Sequence, residues 1–203
     1  MKVKNTDDPR EHGASVGRLL VPTKVFLTKG VGVHEKQLTS RELAMTDAGV
    51  EKVNLIKASS IIPPGCQIVS PDEGKELLHI GQMTFAIMAE CSTNEPHKLI
   101  AASIGMAKPD DENEYGFFTE IEQEEGYGKT EEKASEEVTE LAIHNLAMSW
   151  RAPFDPKKDF DPKKTLYRIR NKNVRVSHMT QTTFGDKDGR YATVFVAAVF
   201  LFQ

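Results

Sequence analysis

The 203-residue chain has few of the features that identify metalloproteins and membrane proteins. It contains only two cysteines, and neither their spacing nor that of the six scattered histidines fits a structural metal site or a disulfide framework. The longest apolar run, Tyr191 to Phe202, is shorter than the roughly 20 residues that a membrane helix requires. We therefore expect no structural metal and no association with a membrane.

An excess of positive charge is also lacking. The sequence has 26 Lys and Arg against 30 Asp and Glu, which gives a net charge of -4, so we do not expect nucleic acid as a partner. Residues 1–19 are polar, have no apolar core of a signal peptide, and are expected to form a loose arm. The length suits one well-buried domain. These features predict a soluble, single-domain, cytoplasmic protein.

The hydrophobic pattern predicts an α+β fold. Strand-like segments come in runs, and two helix-like segments are set apart from them, which favours an αββα-type sandwich of mostly antiparallel strands with two main helices. The last strand is apolar on both faces and is expected to be central. The strand-like segments are 20–27, 53–58, 79–91, 98–107, 115–122, 166–177, 180–184 and 191–202.

Each predicted helix has recognisable ends. The first covers residues 40–48, with Thr39 and Glu42 in the spacing of a capping box and Gly49 as the stop. The second covers residues 130–151, where Thr130 is the expected cap. Its predicted apolar stripe consists of Ala134, Val138, Leu141, Ala142 and Met148. Residues 154–164 (FDPKKDFDPKK) then contain one short motif twice and are interpreted as a solvated surface loop.

The segment Val53 to Val69, VNLIKASSIIPPGCQIV, places two serines between apolar runs and just before a proline pair. Ser59 and Ser60 could be turn residues whose hydroxyls bond to the backbone. Alternatively, the stiff Ile-Ile-Pro-Pro segment could hold the Ser60 hydroxyl over the Ser59 carbonyl. Attack there would convert the amide into an ester, and elimination followed by hydrolysis would leave a pyruvoyl group on residue 60.

The same segment resembles the processing site of the pyruvoyl-dependent arginine decarboxylase family. The resemblance runs from about Thr39 to Phe202 and leaves the N-terminal arm and the FDPKK loop uncovered. It is based on VNLIKASSIIPP together with DAGVEK upstream and AASIGMAKP, GFFTEIE and TEEKASEEV downstream. The combination is specific, although no single motif would be.

The resemblance implies roles for individual residues. The chain would cut itself between Ser59 and Ser60 into a β chain, 1–59, and an α chain, 60–203, that begins with a pyruvoyl cofactor made from Ser60. That group would form a Schiff base with L-arginine, whose decarboxylation gives agmatine and CO2. Asn54 would donate to an oxyanion or orient the substrate, and Glu120 would return the proton.

Each of these two residues has a simpler interpretation. Asn54 could be a polar residue hydrogen-bonded to a turn at the start of a strand. Glu120 and Glu122 could be the solvent-facing positions of an edge strand. The partially buried carboxyl that a proton donor requires is expected at Glu120 because Phe117 and Phe118 precede it.

The resemblance also implies how the substrate is recognised and how the chain assembles. Glu42 occupies the position of an acidic residue that would bind the guanidinium of arginine, where the family commonly has aspartate. Its alternative role is the capping box with Thr39, and Asp47 is a second candidate carboxylate. The family forms homotrimers or pairs of trimers whose active sites are shared between neighbouring subunits.

Two further functions are compatible with the residues alone. Ser60 could remain a serine after cleavage and act as the N-terminal nucleophile of a hydrolase. The chain could also be a non-enzymatic α+β oligomer in which the serine pair lies in a plain turn.

Overall fold

The computed structural model describes residues 20–202, so the predicted N-terminal arm lies outside the described residues. The helices are Gln37–Ala48 (α1), Pro71–Glu76 (α2) and Glu131–Ser149 (α3), with a 3₁₀ turn at Gln123–Gly126. The strands are Lys24–His34 (β1), Asn54–Lys57 (β2), Ile61–Ile62 (β3), Gln67–Ile68 (β4), Met83–Thr93 (β5), Leu99–Pro109 (β6), Gly116–Ile121 (β7), Phe160–Asp161 (β8), Leu166–Ile169 (β9), Lys172–Phe184 (β10) and Tyr191–Leu201 (β11).

The strands form two stacked sheets. Sheet A has the order β2-β5-β11-β1-β4, and sheet B has the order β3-β7-β6-β10-β9-β8. All neighbouring strands are antiparallel except the pairs β2–β5 and β1–β4. The main core lies between the sheets, while α1 and α3 pack on their outer faces around separate apolar clusters. The predicted α+β sandwich with two main helices is confirmed.

The C-terminal strand β11 is central in sheet A, as its apolar sequence predicts. Every residue of β11 after Tyr191 is buried, because β5 and β1 cover its edges and α1 and sheet B cover its faces. Strand β1 also has a neighbour on each side, with β11 along its whole length and the short β4 at its start.

Buried hydroxyl groups attach both helices to the sheets. Ser40 of α1 lies 2.7 Å from the Thr193 hydroxyl of β11, and Ser135 of α3 lies 2.8 Å from the Thr180 hydroxyl of β10. Close approach of α3 to sheet B requires Gly105, where a Cβ atom would collide with the Val138 carbonyl. These contacts satisfy polar groups that burial would otherwise leave unpaired.

The predicted ends of α3 and the stop of α1 are confirmed, but the start of α1 is wrong. The Thr130 hydroxyl accepts a hydrogen bond from the Lys133 amide, and Gly49 adopts the left-handed conformation at φ 75°. Helix α1 begins at Gln37 rather than at Ser40, so Thr39 and Glu42 lie inside the helix and form no capping box. The short helix α2, capped by Ser70, was not predicted.

The predictions for the apolar stripe of α3 and for the FDPKK loop are partly wrong. Leu141 and Met148 are 40% and 70% exposed, and the buried face is formed instead by Ala134, Ser135, Val138, Ala142, Ile143, Leu146 and Ala147. The loop is not purely solvated, because its second copy contributes β8, the edge strand of sheet B. Both of its phenylalanines, Phe154 and Phe160, contact the ring of Tyr167.

Most predicted strands are present with shifted bounds. The first begins later and runs further than predicted, through His34, and the two segments 166–177 and 180–184 form β9 and one long strand, β10. Within residues 20–202, the structure contains no helix with the length and apolar character needed to span a bilayer.

Candidate active site at the crossing between the sheets

The Ser59–Ser60 peptide bond lies where the chain passes from sheet A to sheet B. The Ala58 amide still belongs to sheet A, since it donates a 2.9 Å hydrogen bond to the Ala86 carbonyl of β5. The Ser60 carbonyl already belongs to sheet B, since it accepts a 2.7 Å hydrogen bond from the Phe118 amide of β7. Ser59 is therefore the link between two separately anchored segments.

A three-residue turn surrounds this peptide bond. The Ile61 amide donates a 3.1 Å hydrogen bond to the Ser59 carbonyl oxygen, so Ser60 is the central residue of the turn. Ser59 is exposed and Ser60 is half-buried. Among the described residues neither serine hydroxyl has a hydrogen-bond partner, which does not fit the interpretation of the pair as hydroxyl-bonded turn residues.

The segment after Ser60 is held firmly. Ile61 and Ile62 pair with Phe117 and Gly116 of β7, and the Ile62 side chain is fully buried. The Pro63 carbonyl accepts a 3.1 Å hydrogen bond from the amide of Cys66, which closes the turn that follows. In the Ile-Ile-Pro-Pro segment, the two isoleucines thus form an anchored strand and the prolines lead into a turn.

An apolar recess of about 240 Å³ opens beside Ser59. Aromatic and aliphatic side chains form most of its wall, so the recess offers an apolar surface against which a group can pack. The lining residues are Leu20, Pro22, Ala58, Ser59, Ile61, Pro63, Phe85, Phe200 and Phe202.

Glu120 lies on β7, on the same face of the strand as the fully buried Phe118. That face points between the two sheets, towards residues 58–60, where the chain crosses from sheet A to sheet B. Burial raises the pKa of the Glu120 carboxyl above its usual value; the nearby Lys57 ammonium opposes this rise and the Glu122 carboxylate adds to it. Glu120 is half-buried and has no ion-pair or hydrogen-bond partner within residues 20–202.

A lysine that the sequence interpretation did not identify also lies at the site. Lys57, at the end of β2, contacts both carboxylate oxygens of Glu122, at 2.9 and 3.1 Å. The ion pair connects the last residue of β2 in sheet A to the residue that follows β7 in sheet B. No local sequence pattern indicates it, because the partners are 65 residues apart.

Asn54 does not join Ser60 within one chain. It begins β2, is exposed, and its side-chain amide donates a 2.9 Å hydrogen bond to the Gly81 carbonyl. At a rise of about 3.3 Å per strand residue, its Cα atom lies roughly 13 Å from that of Ala58. The hydrogen bond from Asn54 to Gly81 is the bond to a turn that the simpler interpretation of Asn54 predicted.

Glu42 and Asp47 lie on α1, which packs on the face of sheet A turned away from sheet B. The Glu42 side chain is 55% exposed, and its nearest cation is Arg41 at 3.8 Å. Asp47 accepts a 2.9 Å hydrogen bond from the Val31 amide of β1, which gives it a structural role. Neither carboxylate is brought to Ser60 in one chain.

A groove of about 1050 Å³ lies elsewhere and contains none of the predicted site residues. It runs along α3, which contributes four glutamates to a lining that also includes apolar and uncharged polar residues of sheet B. No group of three or more His, Cys, Asp and Glu side chains in residues 20–202 is arranged to hold a metal ion.

Comparison with known proteins gives a consistent result. The family model described as pyruvoyl-dependent arginine decarboxylase matches residues 24–203. The pyruvoyl-dependent arginine decarboxylase of Nitrosopumilus maritimus is 42% identical over 182 residues, covering 90% of this chain and 98% of the relative. A probable pyruvoyl-dependent arginine decarboxylase of Chlorobaculum tepidum is 45% identical over 181 residues, covering 89% and 98%. The pyruvoyl-dependent arginine decarboxylase 2 of Methanosarcina mazei is 40% identical over 182 residues, covering 90% and 98%.

Proposed function

The chain belongs to the pyruvoyl-dependent arginine decarboxylase family, and we propose that it is a self-processing enzyme that converts L-arginine into agmatine and CO2. Membership of this family makes it a decarboxylase, a carbon–carbon lyase. The observation that best supports self-processing is the position of the Ser59–Ser60 bond at the crossing between the sheets.

Cleavage at this bond is compatible with the fold because each new end is already anchored. The piece 1–59 would keep β1 and β2 in sheet A, and its last ordered backbone contact would be the bond from Ala58 to Ala86. The piece 60–203 would begin with the carbonyl that Phe118 binds in sheet B. A cut anywhere inside a strand would instead divide a hydrogen-bonded ladder.

The proposed reaction starts with the Ser60 hydroxyl. Its oxygen attacks the Ser59 carbonyl carbon, the peptide C–N bond breaks, and an ester and a free amine result. The Ile61 amide, 3.1 Å from the Ser59 oxygen, can stabilise the negative charge that develops there. Loss of the Cα proton of residue 60 and cleavage of its Cβ–O bond release the Ser59 carboxylate, and water replaces the nitrogen, which leaves as ammonia.

The residues present fit the pyruvoyl group that this sequence of steps would leave on residue 60. The group would supply a ketone that reacts with the substrate amine and accepts the electron pair left by the departing carboxylate. Phe118 would hold the neighbouring carbonyl, and the recess between Ser59 and Ile61 would place an apolar surface beside the group. Glu120, whose pKa burial raises, would deliver the proton to carbon.

We further propose that the enzyme is a homotrimer or a dimer of trimers in which neighbouring subunits complete each site. Within one chain, Asn54 is roughly 13 Å from Ala58 along β2, and Glu42 lies on the outer side of sheet A. Both would therefore act on the site of a neighbouring copy, Asn54 by orienting the substrate and Glu42 by binding its guanidinium.

The cytoplasm is the proposed location, with Cys66 and Cys91 as free, buried thiols.

One experiment tests the proposal directly. Purified protein is separated on a denaturing gel, its fragments are weighed by mass spectrometry, and CO2 release from carboxyl-labelled arginine is measured. We expect two fragments, the larger lighter by one ammonia than a serine-ended peptide, together with agmatine formation. A serine-ended fragment would favour the hydrolase alternative, and one uncut, inactive chain would refute the proposal.

A further inference from the structure

Two carboxylates compete for one lysine beside Ser59. Glu120 lies on β7, and Glu122 directly follows this strand with an extended backbone (φ -138°), so the two side chains, two residues apart, point to the same side, towards the crossing. The Lys57 ammonium contacts both oxygens of Glu122, whereas Glu120 has no ion-pair partner among the described residues. Lys57 therefore pairs with Glu122, although its charge also lowers the pKa of Glu120.

This choice of partner matters for the chemistry. A carboxyl group in contact with an ammonium ion is held in its ionised form, and an ionised Glu120 has no proton to deliver to carbon. A carboxyl that is half-buried and unpaired keeps its proton to higher pH. By pairing with Lys57, Glu122 keeps this ammonium from pairing with Glu120, where it would hold the Glu120 carboxyl in its ionised form.

We propose that Glu122 is a positioning residue that holds the Lys57 ammonium away from Glu120, so that Glu120 can carry the proton the reaction needs. This inference deepens the proposed function, on which its catalytic meaning rests. The pairing itself depends only on the geometry of the folded chain.

The surroundings of Glu120 offer no other charged group among the described residues. Its partner across the ladder in β6 is the fully buried Ile104. The crossing segment contributes the hydroxyls of Ser59 and Ser60, and only Lys57 and Glu122 act on Glu120 by charge. In the processed enzyme the new carboxylate of Ser59 would join them, so the first measurement uses an uncut chain.

The test measures the protonation of Glu120 directly, by ¹³C NMR titration of side-chain carboxyls in the uncut Ser60→Ala chain. Comparison with Glu120→Gln assigns the signal. Glu122→Gln should lower the titration midpoint of Glu120, because Lys57 then turns to it. Lys57→Met should raise the midpoint, and the double variant should return it close to that of the parent.

Matched controls separate this effect from a general change in net charge. Glu95→Gln and Lys158→Met alter exposed ion pairs outside the site and should leave the midpoint unchanged. An unchanged midpoint in both site variants, or a rise in Glu122→Gln, would overturn the inference. A purely structural role for the ion pair predicts altered thermal stability without opposite movements of the midpoint.

Kinetics of the processed enzyme provide the second readout. The basic limb of the kcat–pH profile should move to lower pH in Glu122→Gln and to higher pH in Lys57→Met, with little change in KM for arginine. Above the midpoint, each pH unit of downward movement reduces the protonated fraction about tenfold. If the unmutated protein decarboxylates nothing, the proposed function fails, while the NMR titration still decides which carboxylate Lys57 binds.

Discussion

The Phe118 amide donates a 2.7 Å hydrogen bond to the Ser60 carbonyl. This carbonyl is on the side of residue 60 that the proposed cleavage does not touch. The bond can therefore hold residue 60 in sheet B before, during and after the chemistry on its other side. Such preorganisation would let one residue serve first as the proposed nucleophile and then as the attachment point of the proposed pyruvoyl group.

The first prediction concerns the nucleophile. Ser60→Ala should leave a single uncut chain, because alanine has no hydroxyl to attack the Ser59 carbonyl. Ser59→Ala is the matched control and should still be cut, since Ser59 contributes its backbone carbonyl and its hydroxyl has no partner among the described residues. Denaturing gels and intact mass distinguish the two. A processed Ser60→Ala chain would show that another residue is the nucleophile.

The second prediction concerns the proton donor. Glu120→Gln preserves size and leaves Ser60 intact, so the chain should be cut normally. Its kcat should fall by about 10²- to 10⁴-fold, the usual contribution of a positioned general acid. Rates are measured as agmatine formed per cleaved chain. Turnover equal to that of the parent would remove Glu120 from this role.

The third prediction concerns substrate recognition. Glu42→Ala should raise KM for arginine about 10- to 100-fold, the effect of losing charge-assisted hydrogen bonds to the guanidinium. Because Glu42 forms no capping box, its loss should change the free energy of unfolding by less than about 0.5 kcal/mol. Thr39→Ala is the control and should alter neither quantity. A loss of stability without a change in KM would contradict the assignment.

The fourth prediction follows from the raised pKa of Glu120. A carboxyl whose pKa is higher in the folded state contributes stability that is complete below its unfolded pKa and is lost as the pH rises through its folded pKa. In the uncut Ser60→Ala background, Glu120→Gln should therefore match its parent near about pH 4 and melt at a higher temperature near about pH 8. Thermal melts at several pH values measure this, and a difference that does not vary with pH would argue against a buried carboxyl.

The fifth prediction tests whether subunits share their sites. Chains that carry Asn54→Ala and chains that carry Ser60→Ala should each be inactive. When the two are co-expressed, sites that combine Ser60 from one chain with Asn54 from the other should recover part of the parent activity. Recovery is measured against each variant mixed with itself. Its absence in assembled mixed oligomers would mean that Asn54 serves the site of its own chain.

The sequence predicted the parts of the fold that short-range patterns determine. The unbroken apolar run of β11 predicted a central strand, because only a strand covered on both faces and both edges can bury every side chain. The Thr130 cap and the Gly49 stop were likewise predicted, since each satisfies backbone groups a few residues away.

Predictions failed where distant contacts outweigh local preference. Helix α1 starts at Gln37, before the Thr39–Glu42 pair, and its residue Ser40 forms a buried hydroxyl contact with Thr193, 153 residues away. Phe160 belongs to β8, which pairs with β9, and its ring contacts that of Tyr167, although its neighbours in the sequence are mostly charged. At the candidate site, Ser59, Ser60 and Glu120 were predicted, but Lys57 and its pairing with Glu122 depend on the stacking of two sheets.

The position of β1 between β11 and β4 would set a limit on when the proposed cleavage can take place. In the intact polypeptide, β1 reaches this slot as part of the same molecule. After cleavage it would belong to a separate fragment, and refolding would become a bimolecular reaction whose yield falls on dilution. Cleavage would thus have to follow assembly of the two sheets. The cleaved protein would then remain folded because it unfolds slowly, and not because it refolds readily.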